Sequence, residues 1–161
     1  MSGPDRAAAR AATGAVPMPR LATAVVASWL VPGLGHVLLG RVGRGLVFAG
    51  LLLGCYGLGL AHDGRLALRD PKQPLLSSMQ VVANLGIGPL DLAARIQVYG
   101  RGAYALPRDL SSGSDDELTQ IFRERTRSAL SIYGTAYVWT AGLMNLLLLF
   151  DVWDIGLGRK P

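Results

Sequence analysis

Charge, cysteine, histidine and aromatic rings are all scarce in this sequence. Only 17% of its 161 residues are charged, against the roughly one quarter that keeps a soluble surface wet. A single cysteine, Cys55, excludes an intramolecular disulfide and a Cys-x-x-Cys redox or zinc pair. Two histidines, His36 and His62, are the only imidazoles. Counted along helices from a turn near Val42 at about 1.5 Å per residue, they differ in depth by roughly 20 Å, so one ion cannot bridge them. No G-x-S-x-G elbow and no H-E-x-x-H helix is present. Gly35 to Gly40 has the glycine spacing of a phosphate loop, but Arg41 and Val42 follow where Lys and Ser or Thr are required. These absences point away from an enzyme and imply no metal and no cofactor.

What is present is apolar. Half of the residues are hydrophobic, the mean hydropathy is +0.33, and the apolar residues are gathered into long blocks. The net charge of +5 comes from 16 Lys and Arg residues that sit between those blocks instead of forming a stripe. Arg6, Arg10 and Arg20 precede the first block, Arg41 and Arg44 follow it, and Arg65, Arg69 and Lys72 follow the second. Flanking charge of this kind marks membrane boundaries and argues against nucleic acid as a partner.

The expected fold is all-α, an integral membrane helix bundle with three spanning helices plus a short segment that is re-entrant or a fourth span. Residues 1–20 read as a flexible basic tail. Residues 21–62 read as a transmembrane helical hairpin: a first helix of about 21–40 bent at Pro32, a tight glycine-rich turn, and a second helix of about 46–61 returning antiparallel. Residues 63–113 read as a polar loop with short embedded or interfacial helices. There Ser77, Ser78, Gln80 and Asn84 are expensive in hydrocarbon, Gly86 to Pro89 breaks the helix, and Asp91 and Arg95 follow at once. Residues 114–155 read as an amphipathic helix, opened by the capping-box spacing Ser114 to Glu117, that leads into a last span of about 129–152. Residues 156–161 form a C-terminal tail. Tyr133, Tyr137 and Trp139 toward one end of that span, and Trp153 at the other, suit the two interfaces. With three spans and a cytoplasmic N-terminus, 12 basic residues lie inside and 4 outside, whereas a fourth span makes the count 8 against 8, so the positive-inside rule favours three spans with the N-terminus in the cytoplasm.

The run Trp29-Leu30-Val31-Pro32-Gly33-Leu34-Gly35-His36, with Leu39-Gly40-Arg41 and Gly43-Arg44-Gly45-Leu46 behind it, resembles a small two-helix transmembrane hairpin domain of the Pro-Gly-x-Gly type. The last block, from Tyr133-Gly134-Thr135 through Asn145 to Asp151, is similar to the C-terminal helix of an uncharacterised family of small bacterial multi-pass membrane proteins with the same hairpin. The resemblance implies a helix bundle in the bacterial inner membrane and carries over no catalytic residue.

Two sets of residues are singled out. Gly33 and Gly35 on helix one, and Gly50 and Gly54 in a G-x-x-x-G spacing on helix two, are expected to pack helices closely. His36, Asn145, Asp151 and Asp154 are polar residues in or beside the apolar blocks that are candidates for a polar or ion-pair site. His36 is expected to hydrogen-bond a neighbouring helix, and Arg41 and Arg44 to compensate the two carboxylates, which oppose the helix dipole at a C-terminus. The expected role is structural: a membrane module that self-associates or joins a larger complex. The alternative is an oligomeric ion or solute conduit lined by Asn145, Asp151 and His36. Arg123, Arg125 and Arg127 are expected to face anionic lipid headgroups.

Overall fold

The computed structural model describes residues 16–106 and 113–160, without the side chains of 113–116. The basic tail up to residue 15 and the proposed capping box therefore lie outside the described residues. Among the described residues the chain is all-helical, with seven helices: α1 Met18–Leu30, α2 Leu34–Leu38, α3 Val42–Ala61, α4 Pro74–Leu85, α5 Pro89–Tyr99, α6 Gly113–Arg127 and α7 Ser131–Gly156. Two compact units divide them. The first takes the described residues up to Gly50 together with those from Asn145 onward, and the second is Leu51–Met144.

In the first unit, the first helix expected over about 21–40 is broken, not bent. Val31 is extended at φ −135°, as a residue before proline prefers, and Gly33 takes φ 83°. Two short helices of 13 and 5 residues result, and neither has the roughly 20 residues that cross a bilayer. The second of them folds back. A Cβ on Gly35 would lie 2.5 Å from the Ala24 carbonyl oxygen and 3.0 Å from Val152 Cγ2, so the absence of a side chain is what lets α2 settle between α1 and α7. One on Gly33 would collide with the Gly45 carbonyl and come within 3.2 Å of the Ala49 nitrogen. The segment starts beside the C-terminal end of α7, where Val16 N donates to Gly156 O at 2.8 Å. It returns to that end at His36, which meets Asp151. Gly156 and Asp151 are five residues apart, under about 8 Å along a helix, so residues 16–41 enter and leave at one end of α7.

In the second unit, α3 and α7 approach with backbone against backbone. A Cβ on Gly59 would lie 2.9 Å from both Gly134 O and Val138 N. The loop after α3 buries Leu66, Ala67 and Leu68 and pairs with residues 104–106, where Arg69 N donates to Tyr104 O at 2.8 Å and Leu106 N to Arg69 O at 3.0 Å. The segment read as a re-entrant or fourth span is two helices, α4 and α5, of 12 and 11 residues. The amphipathic helix stops at Arg127 and does not run on into α7.

Among the described residues, only α3 and α7 are long and apolar enough to cross a membrane. A core helix of a soluble protein passes that test too, but it is mostly buried, whereas just 22% of the most apolar stretch of α3 and 39% of that of α7 is buried within the chain. Along α7 the buried positions Ser131, Thr135, Val138, Ala141, Asn145, Leu148 and Val152 recur at helical spacing. The opposite face exposes Ile132, Tyr133, Leu143, Met144, Leu147 and Phe150.

Candidate functional site

Among the described residues, two polar clusters built around ion pairs stand out, one in each unit. In the first, the α7 end positions it. Gly158 adopts φ 69°, Gly158 N donates to Ile155 O, and Arg159 N to Asp154 O at 3.0 Å. This pair of bonds is a Schellman turn, which needs a left-handed residue at its centre. It reverses the chain and brings Lys160 Nζ 2.7 Å from Asp151 Oδ1. From α2, His36 reaches the other oxygen at 3.0 Å through Nε2. An ionised carboxylate only accepts, so in this contact Nε2 is the donor. His36 is fully buried, and its ring packs at 5.2 Å and 60° on Phe48. Donation to Asp151 pushes the Lys160 ammonium pKa upward, while the nearby Arg44 opposes the shift.

The structure thus joins His36 to Asp151, two of the residues named from sequence. It does not give the carboxylates the partners expected of them. Among the described residues, Asp151 pairs with Lys160, and Asp154 with Arg159 at 3.6 Å and Lys160 at 3.9 Å, in place of Arg41 and Arg44. The C-terminal turn explains this, because it lays its own cations over the helix end. Asn145 is fully buried on the inward face of α7. Gly33 and Gly35 sit at close contacts, whereas a Cβ on Gly50 or Gly54 would meet nothing within 4 Å. Arg123 and Arg127 are exposed, but Arg125 Nη1 donates to the Gly64 carbonyl at 3.2 Å and so ties α6 to the end of α3.

The second cluster was not singled out from sequence. Pro89 opens α5, whose buried face is Asp91, Ala94, Arg95 and Tyr99. Arg95 Nε donates to Asp91 Oδ2 at 2.7 Å with both side chains completely buried. Arg95 Nη1 donates to Ala103 O at 2.8 Å, and the guanidinium lies 4.2 Å from the centre of the Tyr104 ring. Tyr99 Oη donates to Leu66 O at 2.8 Å. One helix face therefore anchors two loops, 62–73 through Tyr99 and 100–106 through Arg95. Asp91 Oδ1, Arg95 Nη2 and the buried Tyr56 hydroxyl find no protein partner among the described residues. The sequence signal was there: Asp and Arg four apart immediately after Gly-Ile-Gly-Pro, the spacing that stacks an ion pair on one helix face.

Burial pushes the Tyr99 phenol up from 10.0 to about 12 and also raises Tyr104, where the negative Asp91 adds to it. A raised acid pKa means that the folded chain holds the proton more tightly than the unfolded one. The stability it gives is complete below pH 10 and is lost as pH climbs from about 10 to about 12. A spectrophotometric tyrosine titration should show a late-ionising group whose titration coincides with loss of helicity and which Tyr99→Phe removes.

Residues 23–161 match the model of a family of unknown function (DUF6677). No curated protein matches the chain. No solved structure matches it either.

Proposed function

Since the chain belongs to DUF6677, a family of unknown function, its role has to come from its own geometry, and we propose a multi-pass membrane module with a structural or interaction role. The observation that carries this is the arrangement of polarity along α7, with Asn145, Thr135 and Ser131 buried and large apolar side chains exposed. In water that arrangement leaves a long unpartnered apolar surface. In hydrocarbon it is what a span requires, since lipid tails cover the outside and each polar group turns toward protein.

In this reading α3 and α7 cross the bilayer, and α1 with α2 forms a hairpin that dips in and returns to the side it left. Both chain ends and the start of α3 then share one side. The 12-to-4 count that put the N-terminus in the cytoplasm loses its force, because basic residues divide into seven on that side and nine in the connection between the spans. A packing role suits the polar clusters, since each ties different elements of the chain together by hydrogen bonds. An oligomeric conduit would instead draw on the contact of His36 with Asp151, but Lys160 already occupies that carboxylate.

The test is sidedness. In a Cys55→Ser background, single cysteines are placed at Ser2 and at Gly43, where a side chain would meet no neighbour within 4 Å. An impermeant maleimide should label both from the same side of intact membrane vesicles. Labelling from opposite sides would restore a crossing by residues 21–40, and a chain recovered in the aqueous phase without detergent would end the membrane reading.

A further inference from the structure

We propose that the first unit binds an anionic phospholipid, with one acyl chain in the groove between α1 and α7 and the headgroup among the basic residues at the C-terminal end of α7. The inference rests on the membrane reading above.

The groove is a cavity of about 310 Å³ lined by Val25 of α1 and Leu146, Leu149, Phe150 and Trp153 of α7. An apolar lining by itself does not choose between a lipid tail and a protein helix. The charge gathered at the same end of α7 does. Arg20 stands in the first turn of α1, next to Leu21, which packs under Gly156. Arg41 and Arg44 flank the start of α3, and Arg159 and Lys160 follow α7. Of these cations, Lys160 and Arg159 pair with Asp151 and Asp154. Arg20, Arg41 and Arg44 have no carboxylate at ion-pair distance among the described residues, so positive charge is left over.

That surplus lies at the end of a spanning helix marked by Trp153, the level at which amphipathic rings and lipid headgroups meet. A zwitterionic lipid would leave it uncompensated. A phosphate with net negative charge answers it, and basic residues between helix ends are the recurrent way in which membrane proteins hold anionic headgroups. A protein helix would have to supply acidic residues at the same depth together with an apolar ridge narrow enough for the groove.

Trp153 lines the groove and so reports on its occupant. In full-length chain carrying Trp29→Phe and Trp139→Phe, reconstituted in vesicles, its fluorescence should be quenched more by phosphatidylglycerol brominated on the acyl chain than by the equally brominated phosphatidylcholine. Arg41→Gln and Arg44→Gln should each reduce that selectivity about fivefold, at unchanged helicity. If either variant loses helicity, Arg20→Gln provides the same measurement from a different helix. Equal quenching by the two lipids would overturn the proposal, since it means ordinary boundary lipid. A chain that floats with the vesicles but is quenched by neither has its groove covered by protein, which also overturns the proposal and leaves the membrane reading standing. A chain that does not float defeats the membrane reading itself.

Discussion

Arg95→Met is expected to destabilise the chain by about 3–5 kcal/mol, while the double replacement Asp91→Leu with Arg95→Met recovers most of that loss. The asymmetry follows from burial. Both members of the pair are completely inaccessible, and Arg95 Nε lies 2.7 Å from Asp91 Oδ2. Removing the guanidinium alone strands a carboxylate in low dielectric and takes the donor from Ala103 O. Breaking a buried pair on one side costs far more than exchanging both partners for apolar residues of similar volume. Arg95→Lys should fare little better than Met, because a single ammonium cannot serve Asp91, the Ala103 carbonyl and the Tyr104 face together. Thermal unfolding in a mild detergent, followed by circular dichroism, measures these three variants together with Asp91→Leu alone. A double variant whose loss equals the sum of the two single losses would show that the two charges are not energetically coupled.

That pair also marks where the sequence was hard to read. Asp91 and Arg95 interrupt an apolar stretch, and a linear count of hydropathy registers them only as a break. Their meaning depends on period: on a helix beginning at Pro89 they share one face with Tyr99, and that face turns out to be the buried one. The two long apolar helices, α3 and α7, were legible because length and apolar composition determine them locally. Helix one had the length as well, which made Val31-Pro32-Gly33 look like a bend. Proline pushes the residue before it out of the helical region, and Gly33 at positive φ then completes a reversal that one lost hydrogen bond would not produce.

The candidate polar site was half legible for a similar reason. His36 and Asp151 stood out as polar groups in apolar surroundings, and burial does bring them together. Three spans would put the hairpin turn with Arg41 and Arg44 on the same side as the end of the last helix, which makes those two the expected cations. A stop signal was available in Gly158, two residues past the helix, where a left-handed conformation sends the following basic pair back over the last turn. Sequence shows that such a turn is available, but which of two basic pairs reaches a carboxylate first depends on three-dimensional packing.

The glycines give the second large effect, because residues of one type are used in two opposite ways. Gly142→Leu is expected to prevent accumulation of folded chain, whereas Gly50→Leu combined with Gly54→Leu leaves folding unchanged. At Gly142 the backbone of α7 lies directly on the C-terminal part of α4, and a Cβ there would collide with the Ala83 carbonyl. A carbonyl in a helix cannot rotate aside as the tip of a side chain can, so α4 and α7 would have to separate. The cost should exceed the about 1–3 kcal/mol of ordinary overpacking. Gly50 and Gly54 lie on the exposed face of α3, with no atom near enough to touch an added Cβ. Added leucines there can only obstruct something outside the chain. If small residues on this face let a second transmembrane helix approach closely, the double variant should keep the wild-type unfolding midpoint and lose cross-linked oligomer in native membranes. A lowered midpoint would show that the face already has a partner within the chain. An unchanged midpoint with unchanged cross-linking would remove Gly50 and Gly54 from the interaction surface and leave close packing to Gly33, Gly35 and Gly142, whose neighbours are already in place.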